Sequence, residues 1–122
     1  MQLQLVKYGI GEQFPPHHDM TEGAPMSMTI MAFLSDQDPD LNGGITRFPL
    51  LGKGVKANKG DVLLWASCAR DGELEDLSLH QGEPVKRGEK VILNLFIPRS
   101  QISRAHCASL DVRVPETIAY ML

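Results

Sequence analysis

Apolar residues in this chain recur at every second position rather than every third or fourth. Met26, Met28, Ile30, Ala32 and Leu34 alternate with Ser27, Thr29, Met31 and Phe33, and the stretch Lys90 to Ile97 alternates over its whole length. Side chains on an extended chain point to opposite faces with period two, so both stretches are predicted strands, the first partly buried on both faces. Leu3 to Tyr8 reads as a further strand, and shorter ones are expected at Thr46–Phe48, Val55–Ala57, Asp61–Trp65 and from Ser78 to His80 onward. Gly- and Pro-rich segments separate them: Gly9 to Pro16, the polar loop Asp36 to Asp40 running into Asn42-Gly43-Gly44, the turn Arg70 to Glu73, and Lys86-Arg87-Gly88. No convincing long helix interrupts the series. Short strands at regular spacing predict an all-β chain, a sandwich or an open barrel. Pro115 to Leu122 could add a terminal helical turn or two.

The strand over Lys90–Ile97 also separates two environments. Lys90, Ile92, Asn94 and Phe96 share one face, the only one with polar groups suited to a cavity; Val91, Leu93, Leu95 and Ile97 share the other, wholly aliphatic face. That aliphatic face needs a cover. Candidates are the segment after Pro98, a second copy in a homodimer, or a segment preceding Met1.

Composition narrows the function classes. The chain of 122 residues is long enough for one core, and 43% hydrophobic with 22% charged residues is ordinary for a globular domain. A net charge of −3 with scattered basic residues gives no case for nucleic acid as a partner. Cys68 and Cys107 are too few for a disulfide scaffold or a cysteine-based zinc site. No apolar run approaches the roughly 18 residues of a membrane span, and Met1 to Lys7 lacks a signal-peptide layout. Taken as given, the chain is expected in the cytoplasm; an upstream signal would place it in the endoplasmic reticulum lumen.

The residues that carry chemistry are His17, Asp19, His80 and Lys90. In His17-His18-Asp19 an extended backbone sends His17 and Asp19 to one side and His18 to the other. Two imidazoles and one carboxylate form the facial triad of non-haem Fe(II) oxygenases, which leaves three octahedral positions open. His80 is the candidate for the second imidazole. Lys90 follows it on the polar face of its strand, where a buried ammonium is costly unless it meets an anion such as the far carboxylate of 2-oxoglutarate. Each residue also fits a plainer role when taken singly: His17 and His18 as loop histidines, His80 as a hydrogen-bonded strand-end histidine, Lys90 as a solvated lysine, Tyr8 as a core tyrosine.

Five ordered motifs carry a resemblance. They are Tyr8-Gly-Ile-Gly-Glu-Gln-Phe14-Pro-Pro-His17-His-Asp19, Gly43-Gly44-Ile-Thr46-Arg-Phe48-Pro49, Lys59-Gly60-Asp61-Val-Leu-Leu-Trp65, Ser78-Leu79-His80-Gln-Gly82-Glu-Pro84-Val85, and Gly88-Glu89-Lys90. Together they resemble the catalytic domain of prolyl 4-hydroxylases, dioxygenases dependent on 2-oxoglutarate and Fe(II). The resemblance implies a double-stranded β-helix, a jelly-roll of the cupin kind, over residues 1–99, without the usual N-terminal helices. Residues 100–122 are then a tail packed on the sheet or poorly ordered. It also implies that His17, Asp19 and His80 bind iron and that Lys90 holds the co-substrate, with Tyr8 and Thr46 beside it. The implied reaction hydroxylates a proline-containing peptide at C4, using O2, converting 2-oxoglutarate to succinate, with ascorbate as reductant. Ile45, Glu83, Val91 and Phe96 depart from residues common in that family, and none of them touches the triad. The other readings are a related dioxygenase with a different substrate, and a truncated, inactive metal-binding or interaction module.

Overall fold

The computed structural model describes residues 2–21, 23–69 and 73–98. Among the described residues ten strands run in chain order: β1 (Gln2–Tyr8), β2 (Phe14–His17), β3 (Met20–Thr21), β4 (Ala24–Pro25), β5 (Met28–Phe33), β6 (Thr46–Phe48), β7 (Lys53–Val55), β8 (Val62–Ala66), β9 (His80–Gly82) and β10 (Lys90–Ile97). Among the described residues the only helical pieces are two three-residue 3-10 turns, Pro49–Leu51 and Asp76–Ser78.

Two four-stranded antiparallel sheets form, one in the order β1-β10-β5-β8, the other β2-β9-β6-β7. Apart from the β6–β7 pair, strands that are neighbours within these two sheets are distant in sequence, so the chain winds back and forth between the sheets. This is the double-stranded β-helix, the specific form of the sandwich or barrel expected from the alternation. The segment Met20 to Pro25 contains the small β3–β4 hairpin.

The alternation decides which sides face inward. On β5 the inward set is Thr29, Met31 and Phe33, and on β10 it is Lys90, Ile92 and Asn94; all six are buried. Met31, Phe33 and Ile92 join Phe48, Ala57, Leu63 and Trp65 in the core between the sheets. Outward-facing Leu3 and Leu5 lie beside Leu95 and Leu93 in register and are 64% and 67% exposed. The aliphatic face read from β10 is therefore continued by β1. The segment named as its cover, like the expected helical turns over Pro115–Leu122 and the domain boundary at residue 99, lies outside the described residues.

The loop from β5 to β6 brings the backbone close to the cavity. Gly43 and Gly44 both have φ of +67°, in the left-handed region where a Cβ is disfavoured. A Cβ on Gly44 would meet Gln37 Oε1 at 2.8 Å and Lys90 Cδ at 3.3 Å. Both a backbone penalty and a steric one are thus built into this position. Gly44→Ala is expected to lower unfolding free energy by about 1–3 kcal/mol, measured by urea denaturation, whereas Gly60→Ala, with φ of +99° and open space around its Cβ, carries the backbone penalty alone.

Candidate metal and co-substrate site

His17 ends β2 and His80 begins β9, and the two residues are direct partners in the antiparallel pairing of those strands. The register shifts between Phe14 and His17, an irregularity of the kind that re-aims a side chain. Asp19 follows β2 after one residue. Its carbonyl accepts from the Met26 amide at 3.1 Å, closing the β3–β4 hairpin and fixing the backbone that carries the carboxylate.

Each ligand candidate is oriented by a partner on its far side. His17 Nδ1 lies 2.8 Å from the Pro15 carbonyl and His80 Nδ1 lies 2.8 Å from the Ser78 carbonyl. A carbonyl only accepts, so both Nδ1 atoms carry the proton and both Nε2 atoms present a lone pair when the ring is neutral. Those Nε2 atoms each lie 3.6 Å from Asp19 Oδ1. Ligand atoms of His17, Asp19 and His80 all fall within 4.8 Å of one another. Ring packing holds the imidazoles: His17 sits between Phe14 and His80, with centroids 4.0 and 4.3 Å away, and Trp65 packs edge-on against His80 at 4.7 Å.

The electrostatics favour the same protonation states. Burial pushes His80 down from its ordinary value, which keeps its Nε2 lone pair available. Burial pushes the Asp19 carboxyl up, but His17 and His80, to the extent that their rings are protonated, and the Thr29 hydroxyl outweigh it, so Asp19 lies below its usual value. Two lone pairs and an anion converging on one point repel each other unless a cation sits among them. The donor set fits a divalent metal ion of the N,N,O type.

A cavity of about 500 Å³ opens beside this cluster, and His17, Asp19, His80, Lys90, Tyr8 and Thr46 all line it. Lys90 is only 3% exposed. Its Nζ donates to the Gly44 carbonyl at 2.7 Å and, at 3.5 Å, to Thr46 Oγ1; it also lies 5.5 Å from the centre of the Tyr8 ring. No salt bridge to Lys90 occurs among the described residues. Burial pulls the ammonium down to about 8, and the charge of Glu83, which makes no salt bridge to it, only partly opposes that. Thr46 is buried as well, its hydroxyl donating to Met31 Sδ at 3.6 Å. Burial raises the Tyr8 phenol, so it remains protonated and able to donate a hydrogen bond. All six residues singled out in the sequence therefore meet in one cavity.

A family model described as the 2OG-Fe(II) oxygenase superfamily matches residues 3–98. The chain belongs to that superfamily. It is 32% identical to Prolyl 4-hydroxylase 1 of Arabidopsis thaliana, a match covering 72% of this chain and 37% of the relative. It is 34% identical to Prolyl 4-hydroxylase subunit alpha-3 of Rattus norvegicus, covering 78% of this chain and 19% of that protein. Among solved structures it resembles the 2OG complex of viral collagen prolyl hydroxylase vCPH from Paramecium Bursaria Chlorella virus-1, with a TM-score of 0.66 and 29% identity, covering 77% of this chain and 56% of that one. The chain thus spans well under half the length of these curated relatives.

Within this oxygenase site the structure adds residues that the motifs did not single out. Thr29 Oγ1 donates to Asp19 Oδ2 at 2.5 Å. His18, which also lines the cavity, bonds through Nδ1 to Ser78 Oγ at 3.2 Å, tying the segment that bears His17 and Asp19 to the turn before His80. Thr29 had a sequence signal: it is the one hydroxyl on the inward face of an otherwise apolar strand, where it needs a partner. The His18–Ser78 contact spans 60 positions and had none. Glu83, where a cysteine is frequent in the resembling family, pairs with Arg47 on β6.

Lys90 makes stability depend on pH in a testable direction. Its folded value of about 8 lies below the ordinary 10.5, so between those values the unfolded chain binds more protons and stability rises with pH. The burial penalty, on the order of 3 kcal/mol, is full below pH 8 and gone near 10.5. Without a bound anion, Lys90→Met is expected to be more stable than wild type at pH 7. That difference should shrink as pH approaches 10.5, followed by chemical denaturation at each pH.

Proposed function

We propose that this chain is the catalytic part of a prolyl 4-hydroxylase, with His17, Asp19 and His80 holding Fe(II) and Lys90 holding 2-oxoglutarate. The observation that carries the reading is the pairing, in one cavity, of an N,N,O donor cluster with a buried ammonium that makes no salt bridge among the described residues and is only partly offset by the charge of Glu83. A dicarboxylate with a chelating 2-oxo acid at one end complements both features. Bound Fe(II) would supply activation of O2, coupled to decarboxylation of 2-oxoglutarate to succinate and CO2 and to hydroxylation of a substrate carbon.

The protein's share is binding and orientation. His17 and His80, when neutral, offer their Nε2 lone pairs because the Nδ1 atoms carry the protons that meet the carbonyls. Asp19 offers Oδ1. Lys90 fixes the far carboxylate, with Thr46 and Tyr8 flanking it. The aromatic and apolar side chains Phe14, Met20, Trp65, Ile92 and Phe96 wall the cavity and limit the water that reaches the reacting centre. A peptide bearing proline is the substrate class, supported by relatives named as prolyl 4-hydroxylases and a structural relative named as a collagen prolyl hydroxylase. Ascorbate fits as the reductant that returns ferric iron to Fe(II).

Anaerobic titration with Fe(II) and 2-oxoglutarate tests the site directly. A weak visible charge-transfer band is expected in the wild type and is expected to vanish in His80→Ala. Its absence from folded wild-type protein would overturn the reading. Conversion of a proline-rich peptide to its 4-hydroxyproline form, followed by mass spectrometry, tests the substrate class separately.

Lys90 also sets a pH dependence for co-substrate binding. The charged form binds the carboxylate, and the free group titrates near pH 8, so affinity for 2-oxoglutarate should fall as pH rises above 8. Binding in that range should draw a proton from solution, measurable by calorimetry in buffers of different ionisation enthalpy. Lys90→Met should bind weakly at every pH and show no such proton uptake.

A further inference from the structure

Asp19 has two carboxylate oxygens, and the structure treats them differently. Oδ1 faces His17 Nε2 and His80 Nε2, 3.6 Å from each. Oδ2 accepts from Thr29 Oγ1 at 2.5 Å. Thr29 is completely buried, and its backbone lies in the middle of a ladder, opposite Phe96 on one side and Trp65 on the other. The hydroxyl therefore has little freedom to follow the carboxylate, and the carboxylate must turn to suit the hydroxyl.

We infer that Thr29 is a positioning residue that holds Asp19 to single-oxygen coordination and so keeps co-substrate positions open on the metal. The inference rests on the metal reading of His17, Asp19 and His80. A carboxylate can bind a metal through one oxygen or chelate it through both. Chelation by Asp19 would take a fourth position of the six, leaving two for a bidentate 2-oxo acid and O2, which together need three. Engaging Oδ2 with a hydrogen bond from the far side blocks that outcome. The Thr29 hydroxyl bonds to Asp19 and to neither histidine, so its effect runs through Asp19.

This assignment predicts a split between metal and co-substrate binding. Thr29→Val is nearly isosteric and removes only the donor; Thr29→Ser restores it. In anaerobic titrations, Thr29→Val is expected to bind Fe(II) within about threefold of wild type, because a chelating Asp19 still holds the ion. Its Fe(II) form should bind 2-oxoglutarate about tenfold or more weakly, with a displaced or diminished charge-transfer band. Thr29→Ser should match wild type in both. Equal 2-oxoglutarate affinity in Thr29→Val and wild type would overturn the inference. So would a parallel loss of Fe(II) and 2-oxoglutarate binding, or a loss in Thr29→Ser as large as in Thr29→Val, either of which marks a purely structural hydroxyl. Should Thr29→Val not fold, Thr29→Ala carries the same comparison. Wild-type protein that binds no Fe(II) would overturn the metal reading itself, and the Thr29 inference with it.

Discussion

The convergence of two imidazole lone pairs on one ionised carboxylate oxygen is the constraint around which this molecule is arranged. Such a cluster does not form by itself, because its members repel and each is partly removed from water. It is enforced from outside. Carbonyls of Pro15 and Ser78 hold the two rings by their Nδ1 protons, Thr29 holds the carboxylate by its second oxygen, and stacking among Phe14, His17, His80 and Trp65 limits ring rotation. Fixing donors before a ligand arrives moves the ordering cost into folding, where the packed core offsets it.

The double-stranded β-helix suits this arrangement because of how its sheets divide the labour. Sheet β2-β9-β6-β7 carries His17 and His80 as cross-strand partners and Thr46 on a neighbouring strand. Sheet β1-β10-β5-β8 carries Lys90, its cross-strand partner Tyr8, and Thr29. The two sheets are joined through an interior where core residues Met31, Trp65 and Ile92 also line the cavity. The cavity floor is therefore the core itself, and side-chain positions there are set by close packing rather than by loop conformation.

How much of this could be read from the chain depends on how far each feature is from its cause. β10 was legible to the residue, because eight alternating positions are bounded by Gly88 and Pro98, and β6 likewise was found as Thr46–Phe48. The strand expected at Val55–Ala57 is instead Lys53–Val55, with Ala57 making only an isolated bridge to Gln37. The strand expected from Ser78 starts at His80, because Ser78 closes a 3-10 turn capped by the Glu75 side chain. Three-residue strands contain too little periodicity to mark their own ends; neighbouring strands decide them. In the site, the residues that meet the implied ligands carried their signal in type and order. Thr29 left only the trace of a lone hydroxyl on an apolar face and the His18–Ser78 contact left none, because both act through other side chains and their partners are set by the three-dimensional arrangement.

Lys90 and the triad pose opposite electrostatic problems in one cavity. The triad concentrates electron pairs without a cation, and Lys90 buries a cation with no salt bridge among the described residues and only the charge of Glu83 to offset its burial. Neither relieves the other: Lys90 turns to the Gly44 carbonyl and Thr46, and the triad faces inward on itself. A metal ion answers the first problem and an anion the second. A 2-oxo dicarboxylate spans both, since one end chelates the ion while the other meets the ammonium. The cost of keeping the two features apart and unsatisfied is thus recovered only when both ligands are present. This selects a molecule with the correct charge at each end over one that satisfies a single end. The fold keeps the two features apart by placing His17 and His80 on one sheet and Lys90 on the other.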